Sequence, residues 1–157
     1  MKKRHKAESF EAARRLVQDP DGKWMQFAYR AVNEIDPHIL KMNTLNLAYE
    51  GMLNGYNHVL ELRKKYDCNM PWILLFDPTA SCNLHCKGCW AAEYGKTLNL
   101  TYEEMDKLVT EGEELGIHWY MCTGGEPMCR KNDLLRLAAA HQTSVFHLFT
   151  NGTLIDE

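Results

Sequence analysis

Residues 71–89 read Pro71-Trp72-Ile73-Leu74-Leu75-Phe76-Asp77-Pro78-Thr79-Ala80-Ser81-Cys82-Asn83-Leu84-His85-Cys86-Lys87-Gly88-Cys89. The apolar run 72–76, bounded by Pro71 and Asp77-Pro78, is the pattern of a short strand buried on both faces of a sheet. Three cysteines follow at once, with gaps of three and two residues. A loop that leaves a buried strand lies at the carboxyl edge of a parallel sheet, where such folds bind their ligands. The fold class is therefore α/β.

The next 60 or so residues alternate helix and strand. Thr101-Tyr102-Glu103-Glu104 is a capping box, and the helix it opens runs to 115, before Gly116. Residues 117–122 read as a second strand leading into Thr123-Gly124-Gly125-Glu126-Pro127. Residues 133–141 read as a helix, with Asn132 or Asp133 as its cap. Residues 145–149 are a third strand, ending at Thr150-Asn151-Gly152, and 153–157 open a third helix. Strand, helix, strand, helix, strand at these spacings implies two consecutive right-handed crossovers in a parallel sheet.

Upstream of Pro71 the chain reads as helical. A helix over 9–18 is stopped by Asp19-Pro20-Asp21-Gly22, and a second covers 24–35. Asp36 caps and Pro37 opens a third segment that continues to about residue 66. In it Met42, Leu45, Tyr49, Met52, Tyr56 and Val59 form one apolar stripe, expected to pack on its own domain. Gly51 and Gly55 weaken this helix and bend or divide it. The organisation expected is a helical extension over 1–66 and an α/β part over 67–157.

Composition excludes several function classes. With 45% hydrophobic and 25% charged residues the chain is neither disordered nor fibrous. A net charge of −3 and a pI near 6.2 give no electrostatic case for nucleic acid or an anionic membrane. The basic opening Met1-Lys2-Lys3-Arg4-His5-Lys6 is not followed by an apolar stretch, so no secretory signal is read. No apolar run is long enough to span a bilayer. The expectation is a cytoplasmic protein. Six cysteines in such a setting argue against a disulfide framework and for a clustered ligand set.

Chemistry concentrates at two places. Cys82, Cys86 and Cys89 can converge on one metal centre. Cysteine thiolates are the usual ligands of a 4Fe–4S cluster, whose complete set is four, so three leave one iron open to another molecule. The alternative is zinc, with His85 or His118 as fourth ligand. The second place is Gly124 to Pro127, directly after the second strand and at the same sheet edge. Two glycines let main-chain carbonyls approach a ligand closely, and Glu126 adds an acceptor suited to an ammonium group. Cys122 reads as a small buried hydrophobe.

Cys-x-x-x-Cys-x-x-Cys after the first strand, Gly-Gly-Glu-Pro after the second and Thr-Asn-Gly after the third resemble the radical S-adenosylmethionine superfamily, from about Pro71 to Glu157. The resemblance implies a parallel-stranded partial (β/α)6 barrel, of which about three strand–helix units are present. It implies that Cys82, Cys86 and Cys89 ligate three irons of a 4Fe–4S cluster, whose fourth iron chelates S-adenosylmethionine. Gly124, Gly125 and Glu126 would hold its amino group, with Pro127 fixing the turn. The residue before the third cysteine is usually aromatic in this family and lies near the adenine. Here it is Gly88, so only its backbone would serve, with Trp90 supplying a ring. Thr150 and Asn151 would lie at the rim.

The activity implied is reductive cleavage of S-adenosylmethionine to a 5′-deoxyadenosyl radical that abstracts hydrogen from a substrate. That substrate would be a peptide or a small metabolite. A one-electron donor such as ferredoxin or flavodoxin and an anaerobic or well-reduced cytoplasm are implied with it. The other reading is a non-catalytic module holding zinc or an iron–sulfur cluster. Six strand–helix units need about 180 residues at roughly 30 per unit, whereas 71–157 supplies 87. The expectation is a truncated first half of the barrel, part of a longer enzyme and inactive alone.

Overall fold

The computed structural model describes residues 7–93, 95 and 97–156. The basic opening, residues 1–6, lies outside the described residues. The chain divides into two compact units, residues 1–42 and 43–157. In the first, α1 (Ala7–Gln18) and α2 (Lys23–Glu34) are joined by the expected turn, closed by Gly22 N donating to Asp19 O at 3.1 Å. Helix α3 (Pro37–Asn43) starts as read. Asp36 Oδ1 accepts from the backbone N–H of His38 and Ile39, and Pro37 occupies the first turn, where a missing N–H costs nothing.

The second unit holds the sheet. Strands β1 (Leu74–Phe76), β2 (Trp119–Cys122) and β3 (Val145–Leu148) are parallel, in the order β1-β2-β3. Leu74 lies opposite Tyr120, and Tyr120 opposite Phe146; Phe76, Cys122 and Leu148 form the next row. These rows face α5 (Tyr102–Glu114) and α6 (Lys131–Ala140), meeting Met105, Val109, Leu134 and Leu137 in one apolar core. The capping box at α5 forms as read, with Thr101 and Glu104 each taking the other's backbone N–H. The fold is α/β with a parallel sheet and a helical amino-terminal region, as expected of a partial radical-type barrel.

Four expectations need correction. The run 72–76 is not buried on both faces. Side chains alternate along a strand and both helices lie on one side, so Leu75 is 58% exposed on the other, in a row with Met121 and His147. Asn132 and Asp133 do not cap α6. A short 3-10 turn, Pro127–Arg130, runs straight into that helix, and Glu126 caps the turn by accepting from Met128 N at 2.9 Å. Residues 153–154 form a turn, not the opening of a helix.

The fourth correction concerns the long helical segment. Residues Thr44–Gly55 form a π-helix, followed by α4 (Tyr56–Tyr66). The wider turn of i→i+5 bonding advances the inward face. Asn46, Gly55 and Val59 are therefore buried, while Leu45, Tyr49 and Met52 of the expected stripe are about half exposed. Gly55 sits directly on the sheet's amino-terminal end. A Cβ there would lie 2.3 Å from Gly116 O. Asn46 Nδ2 donates to Gln142 O and Ser144 O, so residues 43–66 of the expected 1–66 extension pack in the same unit as the strands. No helix among the described residues is long and apolar enough to cross a membrane.

A partly buried polar cluster joins α5 to the chain after α6. His141 Nδ1 lies 3.0 Å from Glu113 Oε2 and its Nε2 3.2 Å from Asp106 Oδ1, while Ser144 Oγ donates to Glu113 Oε1 at 2.6 Å. Burial pushes the Glu113 carboxyl up, but hydrogen bonds from Ser144 and His141, with the His141 charge, outweigh it and hold it below its ordinary 4.5. A lowered carboxyl stabilises the fold fully above its unfolded value, and that contribution is lost as pH falls through the folded one. Stability should therefore fall with acid below about 4.5. Urea unfolding across the acid range should show a shallower fall in Glu113→Gln. An unchanged acid limb in that variant would remove Glu113 from the account.

Candidate functional site

All three motifs lie at the carboxyl edge of the sheet. The cysteine loop leaves β1 through a closed neck. Ala80 N donates to Leu98 O at 2.8 Å and Leu100 N to Pro78 O at 3.1 Å, with an isolated antiparallel bridge between Thr79 and Asn99. Arg130, oriented by Asp133 at 2.7 Å, reaches Leu100 O from the turn after β2. Inside the loop Cys89 N donates to Cys86 O at 3.2 Å, closing a turn in which Gly88 has φ +78°. That left-handed angle suits glycine and would strain an aromatic residue here. Leu84 N donates to Cys82 Sγ at 3.4 Å.

The Gly-Gly pair has a tighter duty than leaving room for a ligand. Gly125 N donates to Thr79 O at 2.9 Å and Glu126 N to Ser81 O at 2.8 Å. A Cβ on Gly125 would lie 2.3 Å from Ser81 O, and one on Gly124 2.5 Å from Thr79 O. Gly124 also has φ +96°. Both glycines are required because the root of the cysteine loop lies against them, backbone on backbone.

Glu126 is 1% exposed. Its Oε1 accepts from Met128 N and from Thr150 Oγ1 at 2.7 Å, and its Oε2 accepts from Asn151 N at 2.8 Å. The carboxylate expected to meet an ammonium group is thus committed to protein donors and ties the turn after β2 to the turn after β3. Pro127 is fully buried at the first position of the 3-10 turn. Asn151 Nδ2 donates to Asn83 Oδ1 at 3.0 Å, linking the third motif back to the cysteine loop. Thr123 Oγ1 donates to Asp77 Oδ1 at 2.5 Å across the ends of β1 and β2.

The structure therefore brings the three motif loops together. Cys82 and Cys89 are half-buried and Cys86 exposed, all as free thiols. Among the described residues no three His, Cys, Asp or Glu stand gathered as a metal-ligating group, so the thiols share a loop without being drawn together. Trp90 is 62% exposed at the start of a 3-10 turn, Trp90–Glu93. His118, the alternative zinc ligand, precedes β2 and packs beside Gly55, at the opposite end of the strand from the cysteines. Cys122 is buried in the core, and burial, with Asp77 nearby, pushes its thiol up to about 12. It is inert at neutral pH.

Sequence reading missed Asn83, Thr79 and Arg130. Asn83 carried a signal, being a polar side chain between two ligand positions. The other two were not marked, because the contacts that place them are distant in sequence: Thr79 Oγ1 donates to Asn99 Oδ1 and its carbonyl accepts from Gly125 N, while Arg130 reaches Pro78 O and Leu100 O.

The family described as the Radical SAM superfamily matches residues 76–157. The GTP 3′,8-cyclase of Geobacter sulfurreducens is 36% identical over 86 residues, 50% of this chain and 26% of that protein. The enzymes of the same name from Syntrophomonas wolfei and Thermodesulfovibrio yellowstonii are 37% and 38% identical over 83 and 82 residues, or 48% and 47% of this chain. The chain spans about a quarter of the length, 26%, of the curated relatives it matches. No solved structure matches the chain significantly.

Proposed function

The chain belongs to the radical S-adenosylmethionine superfamily, whose cofactors are a 4Fe–4S cluster and S-adenosylmethionine, and from that premise we propose a specific division of labour among its residues. Cys82, Cys86 and Cys89 hold the cluster. The donor set fits, since three free thiols stand in one loop at the carboxyl edge of the sheet, and thiolates are the usual cluster ligands. When bound, the cluster supplies one electron that splits S-adenosylmethionine into methionine and a 5′-deoxyadenosyl radical, which abstracts hydrogen from a substrate.

The turn Gly124-Gly125-Glu126-Pro127 receives the amino group of S-adenosylmethionine. Because the Glu126 carboxylate is engaged, we assign the acceptor role to the main-chain carbonyls of Gly124 and Gly125, with Glu126 and Pro127 holding the turn in shape. Gly88 offers its backbone and Trp90 its ring toward the adenine, and Thr150 and Asn151 form the rim. The observation that supports this reading is the backbone weld between the cysteine loop and the Gly-Gly turn. A structural zinc module has no need of it.

The relatives' name makes GTP the first substrate to offer, with a peptide or another small metabolite as the alternative class. A ferredoxin- or flavodoxin-type donor would supply the electron, in an anaerobic, well-reduced cytoplasm. Anaerobic reconstitution with iron and sulfide tests the cluster. About four irons per chain, the content of one such cluster, are expected, and S-adenosylmethionine should perturb the reduced paramagnetic signal. One tightly held zinc without sulfide would sink the proposal.

A further inference from the structure

We infer that Thr153 is a positioning residue for the cysteine loop, acting through a closed ring of three side chains. Asn83 Nδ2 donates to Thr153 Oγ1 at 2.8 Å; the Thr153 hydroxyl donates to Asn151 Oδ1 at 2.7 Å; Asn151 Nδ2 donates to Asn83 Oδ1 at 3.0 Å. Each side chain gives one bond and takes one in the same sense around the ring, so the bonds polarise one another. Thr153 N also donates to Asn151 Oδ1 at 2.9 Å, which fixes the asparagine from behind.

The ring's position decides its effect. Asn83 lies between Cys82 and Cys86, on the part of the loop that reaches beyond the neck at residues 78–80 and 98–100. Its other two members belong to the loop after β3, which the buried Glu126 anchors through Thr150 Oγ1 and Asn151 N. Ser81 O, one residue before Cys82, accepts from Glu126 N. The segment 81–83 is thus held at both ends, by the turn after β2 and by the ring, so Cys82 is tied directly to the framework. The hydroxyl of Thr153 closes that circuit, and its methyl group takes no part in it.

This inference rests on the proposed cluster loop for its purpose but has a readout that needs no iron. In the metal-free chain, alkylation of Cys82 by iodoacetamide should run roughly three- to tenfold faster in Thr153→Val, the effect of one or two ordinary hydrogen bonds on a local opening. Thr153→Ser keeps the hydroxyl and should react at the wild-type rate. Cys122 is fully buried in the core and reports global opening; its rate should be the same in all three proteins. In reconstituted protein, chelator-driven iron loss should quicken in Thr153→Val and not in Thr153→Ser. An unchanged Cys82 rate in Thr153→Val would overturn the inference. So would Cys82 and Cys122 rising together, which marks general destabilisation. A wild-type chain that takes up no iron would refute the cluster reading, while the alkylation rates would still decide the ring.

Discussion

Glu126→Ala should lower the stability of the sheet-bearing unit by about 2–4 kcal/mol, because three donors lose their acceptor at once. Two are backbone N–H groups, of Met128 and Asn151, and the third is the Thr150 hydroxyl. The carboxylate is 1% exposed, so the vacated space is not one that bulk water already fills. Glu126→Gln should cost less, about 1–2 kcal/mol. It keeps one acceptor oxygen but turns an NH2 group toward a donor. Urea unfolding followed by near-ultraviolet circular dichroism measures both. A loss below about 0.5 kcal/mol in the alanine variant would show that the bonds are replaced by water at little cost.

Gly125→Ala should cost about 2–3 kcal/mol and strip the chain of its capacity to retain iron. The added methyl would lie 2.3 Å from Ser81 O and 2.6 Å from Ala80 O. Both neighbours are backbone, so no side chain can swing aside and the root of the cysteine loop must move. Gly88→Ala is the informative comparison. Nothing lies within 4 Å of its added Cβ, and its cost is only the strain of φ +78°, about 1 kcal/mol. Thermal unfolding and iron content after reconstitution separate the two. Equal losses at both glycines would mean that the contact with Ser81 is not what Gly125 protects.

The parallel order of the strands and the capping box at Thr101 were legible because both rest on local signals, namely apolar runs, turn residues and a four-residue cap. The π-helical stretch was not. Counting at 3.6 residues per turn put Leu45, Tyr49 and Met52 inward, whereas the face is set by Gly55 meeting Gly116, a contact between backbones that no spacing of side chains announces. The positions of the three motifs were legible, but the contacts that bind them to one another were not, for the same reason. Glycine next to glycine reads as freedom for a ligand, and a glutamate beside it reads as an open acceptor. The structure uses both to join loops 24 to 46 residues apart, and the ring of Asn83, Asn151 and Thr153 spans up to 70.

That separation sets a timetable. Asn83 and Thr153 are 70 positions apart. At a synthesis rate of roughly 5–20 residues per second, the ribosome makes the cysteines about 4–14 s before the residue that closes the ring around their loop. Through that interval the thiols ride on a nascent strand whose sheet neighbours are still being added, open to oxidation and to whatever metal is nearby. On the proposed role of the loop, synthesis through Thr153 precedes cluster insertion. A cell that loads the loop earlier loads it before its framework exists.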